Sequence, residues 1–252
     1  VIKPLFYSLL ADGTFIFASE LKALLMHPDF MRDMDPHAIE DYFAYGYVPE
    51  PKTIFRQAFK LSPAHILKLH SGQGVPQPRE YWDVPFAAHE SISVQEAEEE
   101  LIVRLRESVK LHLMTEVPLG AFLSGGVDSS AVVAMMADLM EEPVNTCSIS
   151  FGDPAFNESQ YAQKVADRYH TQHNVGQVDQ DDFDLIDKLA TLYDEPFADS
   201  SAMPTYRVCE LARKRVTVAL SGDGGDENLA GYRRYRWHLY EERMRSMLPL
   251  GF

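Results

Sequence analysis

The sequence predicts an α/β protein whose C-terminal part is a doubly wound parallel sheet, and three observations point to it. From about residue 94 onward, short apolar segments alternate with segments in which apolar residues recur every three or four positions. The segment 117–123 is apolar without polar alternation, as expected of a strand covered on both faces. Glycine-rich polar stretches follow that segment and a later apolar segment, 216–220. Strands that alternate with helices form a parallel sheet with helices on both faces.

The first 83 residues predict a smaller α+β unit. Two apolar runs joined by a turn with Asp12-Gly13 are typical of a β-hairpin. Ser19 is a candidate N-cap for a short helix, and Pro36, after Asp35, suits the first position of a second helix. The predicted elements are strands 4–10 and 14–18, helices 19–26 and 35–45, and strands 54–59 and 65–70.

The remaining chain carries the alternating pattern. Residues 84–93 contain Pro85 and show no apolar period, which predicts a linker between domains 1–83 and 94–252. The predicted helices are 94–115, 127–140, 158–169, 181–193 and 202–215, and the predicted strands are 117–123, 144–151, 174–178 and 216–220.

The composition excludes several classes of partner. The formal net charge of −15 and a pI of about 4.9 argue against nucleic acid, because a phosphate backbone requires a basic surface. No apolar run approaches bilayer-spanning length and no signal-peptide pattern opens the chain, so we expect no membrane partner. Cys147 and Cys209 lie in apolar stretches without metal-ligand spacing, which predicts buried, reduced thiols in a cytoplasmic protein.

The first glycine-rich stretch, residues 124–130, reads Ser-Gly-Gly-Val-Asp-Ser-Ser and follows the predicted strand 117–123. Glycines let backbone N–H groups approach an anion, and the N-terminal end of the next helix adds positive potential. These features predict a loop that holds nucleotide phosphates. It is not a Walker A loop, because Gly-x4-Gly-Lys-[Ser/Thr] is missing from the sequence. The alternative is a tight strand-to-helix turn capped by Ser124.

The second stretch, residues 221–227, reads Ser-Gly-Asp-Gly-Gly-Asp-Glu and follows the predicted strand 216–220. Loops after parallel strands gather at one sheet edge, so we expect it to face the first loop. Asp128 and Asp226 together would supply two carboxylates for Mg²⁺, which would screen the phosphates and stabilise a departing pyrophosphate. The alternative is a solvated acidic turn or a calcium loop, although the EF-hand spacing is absent.

Two further polar segments leave their roles open. Asp199 and Ser200 could contact a substrate or cap the helix predicted from Ala202. The basic aromatic run 232–236 could approach an anionic substrate, but a solvated helix face is the safer interpretation. The histidines show no His-x3-His pair, so the sequence gives no support for zinc.

With both loops in place, the chain resembles the asparagine synthetase family of glutamine-dependent amidotransferases. The similarity extends over nearly the whole chain, at segments 3–7, 17–24, 81–83, 123–130, 195–206, 221–227 and 231–232. It implies a synthetase domain of the PP-loop ATP pyrophosphatase fold (adenine-nucleotide alpha-hydrolase-like), truncated at its C-terminus. Ahead of it the resemblance implies the last part of an Ntn-type glutaminase domain.

The resemblance also implies the chemistry. Mg-ATP adenylates a substrate carboxylate, aspartate by family default, and ammonia from glutamine displaces AMP to give an amide. Small molecules are the implied partners, and a homodimer is left open. Asp223 corresponds to an acidic residue near the reacting carboxyl, and Asp128 and Asp226 to the Mg²⁺ ligands. The implied pyrophosphate contacts are Ser124, Gly125, Gly126, Ser129 and Ser130, and the implied adenosine contacts are Phe122, Ile149, Ser221 and Gly222.

Two departures from the family pattern limit what this chain is expected to do alone. In the family the glutaminase nucleophile is an N-terminal cysteine, whereas this sequence begins with Val1. The lysine that the family places near the adenylate would lie beyond Phe252. We therefore expect a piece of a longer enzyme that neither hydrolyses glutamine nor completes amide synthesis. The other hypotheses are a different ATP pyrophosphatase, such as an NAD synthetase or a tRNA-thiolation enzyme, and a non-catalytic nucleotide-binding module.

Overall fold

The computed structural model describes residues 3–70, 74, 77–84, 92–152, 157–178 and 185–247. Its residues divide into two compact units. The first contains residues 1–91 and 182–203, and the second contains residues 92–181 and 204–252. Most of the predicted linker, 85–91, lies outside the described residues.

The helices and strands in chain order are β1 (Phe6–Leu9), β2 (Phe15–Ala18), α1 (Leu21–Leu24), α2 (Pro36–Tyr45), β3 (Ala58–Lys60), β4 (His65–Ile66), β5 (Arg79–Glu80), α3 (Val94–His112), β6 (Leu119–Phe122), α4 (Val127–Leu139), β7 (Asn145–Phe151), α5 (Ser159–Tyr169), β8 (Gln172–Val178), α6 (Leu185–Leu192), α7 (Ala202–Arg213), β9 (Val218–Leu220), α8 (Gly225–Leu229) and α9 (Arg233–Ser246).

The first unit contains an antiparallel sheet of order β2-β1-β3 and a two-stranded ribbon of β4 and β5. The predicted hairpin is confirmed, and its turn is tightened by Asp12, whose carboxylate accepts from the backbone and side chain of Thr14 at 2.9 and 2.8 Å. The core of this unit joins the sheet to α1 and α2 through Phe6, Leu10, Leu21, Leu24, Phe30, Ala38, Val48, Ile54 and Ala58.

Several elements of the first unit begin later than the sequence predicts, and hydrogen bonds account for two of them. The expected cap of the first helix is Ser19, but α1 starts at Leu21, whose N–H donates to Asp194 Oδ2 at 2.6 Å. The strand expected from residue 54 is shortened to β3, because Thr53 Oγ1 donates to the carbonyls of Phe55 and Ala58 and holds a local turn. The prediction for α2 is confirmed, with Asp35 as its N-cap.

The second unit is built on a parallel sheet of order β8-β7-β6-β9. Helices cover both faces, as predicted. Ala121 on β6 packs with the apolar residues of α3, α4 and α5, whereas its neighbour Phe122 packs against α7. Because successive strand residues face opposite sides, this alternation shows that both faces of the central strand are buried.

The segment 182–203, which the sequence pattern places in the second domain, belongs by its contacts to the first unit. Glu195 Oε1 accepts the Ile54 N–H at 2.7 Å, and its Oε2 is 2.5 Å from Lys60 Nζ. Asp194 accepts the Leu21 N–H and pairs with Lys22 Nζ at 3.1 Å. These adjacent carboxylates therefore fasten the segment to two separate parts of the first unit.

The two cysteines differ in exposure. Cys147 is buried under α7, but Cys209 is exposed, so the prediction that both are buried is wrong for Cys209. Cys209 lies on α7 beside the exposed Glu210, and its position on the outer side of that helix explains the difference. Both thiols are free.

Within the described ranges, no helix has the length and apolar character needed to cross a bilayer.

Candidate functional site

The two glycine-bearing loops meet at one edge of the parallel sheet. Strands β6 and β9 are neighbours in register, with Ala121 opposite Leu220, so the loops that follow them emerge side by side. Together with the end of β7 they line a cleft of about 740 Å³. This is the position at which open parallel sheets bind ligands.

The first loop is folded around the Ser129 hydroxyl. Ser129 Oγ accepts the Ser124 N–H at 3.2 Å, lies 2.9 Å from Ser124 Oγ, and donates to the Gly126 carbonyl at 3.3 Å. Ser124 Oγ in turn accepts the Gly126 N–H at 3.2 Å. The two serines therefore brace the loop from inside as well as lining the cleft.

The start of α4 supplies donors for an anion. Its N-cap, Gly126, has no side chain, and the first helical bond is made by the Ser130 N–H to the Gly126 carbonyl at 3.1 Å. The N–H groups of residues 127–129 precede that bond, so they have no acceptor within the helix. With the positive end of the helix dipole, they form an environment that favours phosphate.

Gly125 is required by packing. Its φ is +86°, and a Cβ there would lie 2.5 Å from the Ala162 backbone nitrogen and 2.7 Å from Tyr161 Cβ on α5. Any side chain would push the loop away from α5. Gly125 therefore sets how closely the loop packs against α5.

The second loop is packed directly onto the first. A Cβ on Gly222 would lie 2.5 Å from the Ser129 nitrogen and 2.9 Å from the Asp128 carbonyl carbon. Gly225 lies against the Asp128 carboxylate, and the next residue is Asp226. The geometry therefore brings Asp128 close to the backbone that carries Asp226, and both residues line the cleft.

The cleft is strongly acidic. Its described lining includes the carboxylates of Asp128, Glu158, Asp223, Asp226 and Glu227, and no lysine, arginine or histidine. A polyphosphate could bind there only with cations, and carboxylate and phosphate oxygens suit Mg²⁺. Asp128 and Asp226, the two carboxylates that the sequence assigns to such a metal, are both in this lining. Among the described residues no group of three or more potential metal-binding side chains is found, so a metal would depend on ligand oxygens or water.

The predicted site residues can now be located. Of the predicted site residues, Gly125 and Ser130 are not among the residues that line the cleft. Ser130 Oγ is buried without a hydrogen-bond partner in the described structure. Ser221 Oγ donates to the carboxylate of Asp223 at 3.0 Å. The predicted residues that line the cleft are Phe122, Ser124, Gly126, Asp128, Ser129, Ile149, Ser221, Gly222, Asp223 and Asp226.

Tyr232 belongs to a run for which the sequence favours a solvated helix face, but the structure places it in the cleft lining. Its hydroxyl donates to Glu227 Oε1 at 2.7 Å, and this hydrogen bond lowers the pKa of Glu227. The Arg234 guanidinium lies 4.5 Å from the centre of the Tyr232 ring. In the sequence, the spacing of Tyr232 and Arg234 is the signal for this cluster. The direction in which the cluster faces depends on α8, a helix that the sequence pattern does not predict.

Other lining residues carry no chemical signal in the sequence. Pro204, Thr205 and Val208 come from α7, and Phe151 follows the predicted adenosine contact Ile149 on β7. Only the packing of α7 against the sheet reveals their position.

The sequence leaves two roles open for Asp199, a substrate contact and a helix cap, and the structure shows the hydrogen bonds of a helix cap. Its carboxylate accepts the Ser201 N–H at 2.8 Å, and its carbonyl accepts the Ala202 N–H at 3.1 Å. The first of these bonds lowers the pKa of Asp199. Neither Asp199 nor Ser200 is among the described lining residues.

Comparison with known families agrees with the fold and the loops. The profile described as Asparagine synthase matches residues 100–251, more than half of the chain. The chain belongs to the asparagine synthase family. A second profile, described as Glutamine amidotransferase domain, matches residues 1–82.

Curated relatives match across nearly the whole chain. A putative asparagine synthetase [glutamine-hydrolyzing] 2 of Methanocaldococcus jannaschii is 40% identical over 238 residues, covering 92% of this chain and 45% of the relative. Asparagine synthetase [glutamine-hydrolyzing] 1 of Bacillus subtilis is 32% identical over 243 residues, covering 93% and 37%. This chain of the asparagine synthase family thus spans less than half the length of these relatives, and the resemblance drawn from its motifs is confirmed.

Among solved structures, the NH3-dependent NAD synthetase from Campylobacter jejuni is similar with a TM-score of 0.36 and 15% sequence identity. The similarity covers 56% of this chain and 61% of the other.

Proposed function

We propose that this chain supplies the nucleotide-binding part of an ATP-dependent amide-forming ligase. In the proposed reaction a carboxylate oxygen, from aspartate, attacks the α-phosphorus of ATP, and the bond to the β-phosphate oxygen breaks to release pyrophosphate. Ammonia derived from glutamine then attacks the acyl carbon, the bond to AMP breaks, and loss of a proton leaves the amide. The observation that carries the proposal is the packing of two strand-ending glycine loops into one acidic cleft.

We assign the predicted site residues of the cleft roles in binding or catalysis. The free N–H groups at the start of α4 and the braced loop would hold the pyrophosphate portion, and Phe122 and Ile149 would contact adenosine. Asp128 and Asp226 would hold Mg²⁺, which when bound screens phosphate charge and stabilises the leaving pyrophosphate. Asp223, exposed and hydrogen-bonded to Ser221, would lie near the reacting carboxyl and would accept a proton from the attacking ammonia.

The domain roles belong to the same proposal. Residues 1–83 would form part of a glutamine amidotransferase domain, 84–93 the linker, and 94–252 the ATP-binding synthetase domain. A homodimer and a cytoplasmic location remain predictions from the sequence.

Replacing Asp128 by alanine is expected to weaken Mg-ATP binding about 10- to 100-fold, the usual cost of disturbing a metal ligand set. Isothermal titration calorimetry in excess Mg²⁺ would measure the effect. The matched control is Asp138→Ala, which removes an aspartate from the same helix where it pairs with Arg106 on the surface, and it should bind like the wild type.

An Asp128→Ala variant that keeps its Mg-ATP affinity would favour the metal-free nucleotide-binding module instead. The substrate assignment has a separate test in the full-length protein. Pyrophosphate release should depend on aspartate, and release that is equally fast with unrelated carboxylates would overturn that assignment.

A further inference from the structure

The five described carboxylates that line the cleft fall into two groups by exposure. Asp128 and Asp226 are half-buried, whereas Glu158, Asp223 and Glu227 are exposed. The half-buried pair are the two carboxylates proposed to hold Mg²⁺. Because burial limits the positions that a side chain can take, the surroundings of these two groups decide where their oxygens lie.

Each half-buried carboxylate rests on a glycine. A Cβ added to Gly225 would lie 2.8 Å from both carboxylate oxygens of Asp128. A Cβ added to Gly231 would lie 2.8 Å from Cγ of Asp226 and closer still to its Oδ1. Carbon atoms do not approach so closely, and the groups in the way are the ends of side chains. A side chain at either glycine would therefore push the carboxylate out of its position.

The two glycines lie at opposite ends of α8. Gly225 is the first residue of this helix, and Gly231 follows its C-cap, Ala230. The carbonyl of Asp226 accepts the N–H groups of both Ala230 and Gly231, the second at 3.0 Å. Main-chain hydrogen bonds thus set the spacing between the two glycines, and with it the places at which the two carboxylates rest.

Neither Gly225 nor Gly231 is among the described lining residues of the cleft. Their effect on a bound metal would therefore pass through the carboxylates that they contact. The exposed carboxylates are held in another way, since Asp223 accepts from Ser221 and Glu227 accepts from Tyr232. Those partners are side chains, whereas the glycines offer the main chain itself.

Carboxylates fixed by the main chain favour a small ion. Mg²⁺ requires near-ideal octahedral geometry with oxygens at about 2.0–2.1 Å, whereas Ca²⁺ accepts six to eight oxygens at about 2.3–2.6 Å in flexible arrangements. Displacing a carboxylate therefore costs Mg²⁺ more than Ca²⁺, because Ca²⁺ can adjust its ligand set.

We propose that Gly225 and Gly231 are positioning residues, which fix the Asp128 and Asp226 carboxylates by leaving room for them against the main chain and so favour Mg²⁺ over Ca²⁺ in the nucleotide complex. This inference rests on the proposed binding of Mg-ATP. It adds that the choice of metal is controlled from behind the cleft wall, by two residues without side chains.

The test measures the dissociation constant of ATP for the full chain by isothermal titration calorimetry, in saturating Mg²⁺ and in saturating Ca²⁺. Neither glycine has a positive φ, so alanine adds a methyl group without backbone strain. Gly231→Ala should weaken ATP binding about 10- to 100-fold in Mg²⁺, the usual cost of losing a group that orients a metal ligand. The loss in Ca²⁺ should be at least about threefold smaller, and Gly225→Ala should show the same pattern. Dividing each constant by that of the wild type in the same metal cancels the metal preference of ATP itself.

Gly224→Ala is the matched control. The φ of Gly224 is +90°, and Asn228 Nδ2, at 3.8 Å, is the nearest described atom to an added Cβ, so the variant strains the same loop without touching a carboxylate. Its ATP affinity should change by the same factor in both metals. In a double-mutant cycle, Gly231→Ala should weaken Mg-ATP binding less than about twofold further once Asp226→Ala has removed the displaced group.

Equal losses in Mg²⁺ and Ca²⁺ for Gly231→Ala, no loss in either metal, or losses that add in the cycle would overturn the inference while leaving the proposed function intact. If Gly231→Ala does not fold, Asp226→Glu carries the same test, because the extra methylene moves the carboxylate away from Gly231. It should also lose more affinity in Mg²⁺ than in Ca²⁺, and equal losses would overturn the inference. A wild-type chain that binds no ATP in either metal would instead overturn the proposed function.

Discussion

Replacing Gly125 by alanine is expected to lower the free energy of unfolding of the second unit by about 2 to 5 kcal/mol. Left-handed backbone costs a residue with a Cβ about 1 to 2 kcal/mol, and forcing a methyl into filled space costs about 1 to 3 kcal/mol more. Both terms apply, because φ is +86° and the new Cβ would lie 2.5 Å from backbone of α5. Urea denaturation followed by circular dichroism would measure the loss, and Mg-ATP binding should weaken with it.

Two other glycines separate the contributions to that loss. Gly13 also has a positive φ, +87°, but no described atom would lie within 4 Å of a Cβ added there, so Gly13→Ala should show the backbone cost alone. Gly152 has an ordinary φ and equally open surroundings among the described residues, so Gly152→Ala should be close to neutral. If Gly125→Ala costs no more than Gly13→Ala, the contact with α5 is not what requires glycine there.

Replacing Glu195 by alanine is expected to destabilise the first unit by about 3 to 5 kcal/mol, the range for breaking a buried ion pair on one side. The side chains of Glu195 and Lys60 are 12% and 16% exposed. The substitution would leave the Lys60 ammonium with the Val48 carbonyl as its described partner and the Ile54 N–H without its acceptor. Thermal and urea unfolding of the full chain would register the change as an earlier transition of this unit.

Matched variants identify the source of the effect. Glu100→Ala removes an exposed carboxylate that pairs with Arg104 one helical turn away, and it should change stability by less than about 0.5 kcal/mol. Combining Glu195→Leu with Lys60→Met removes both charges and should recover much of the loss. A Glu195→Ala protein as stable as Glu100→Ala would show that the segment 182–203 is not held by this pair.

The meeting of the two glycine-bearing loops in one cleft could be predicted because its determinants are local. The loop 124–130 is marked by glycines, hydroxyls and one carboxylate immediately after an apolar strand. The general rule that parallel strands end at one edge then brings the loop 221–227 alongside. Neither step needs knowledge of distant contacts. Asp128 from the first loop and Asp226 from the second both line the cleft, as these two steps predict.

The features that escaped prediction depend on contacts between distant parts of the chain. Leu21 takes its capping partner from Asp194, 173 positions away, and no local pattern around Ser19 could reveal that. The role of Gly125 becomes visible only when α5 is placed beside the loop. The position of Tyr232 likewise depends on the short helix that precedes it.

The docking of residues 182–203 has a consequence for the order of events during protein synthesis. A chain leaves the ribosome from its N-terminus, and domains generally fold as they emerge. The first unit of this protein cannot fold completely before the second unit begins to be synthesised. Its residues Leu21, Ile54 and Lys60 bind Asp194 and Glu195, which are synthesised only after the strands β6, β7 and β8. Its nascent form stays incomplete, with these groups unpaired, until most of the neighbouring sheet has been translated.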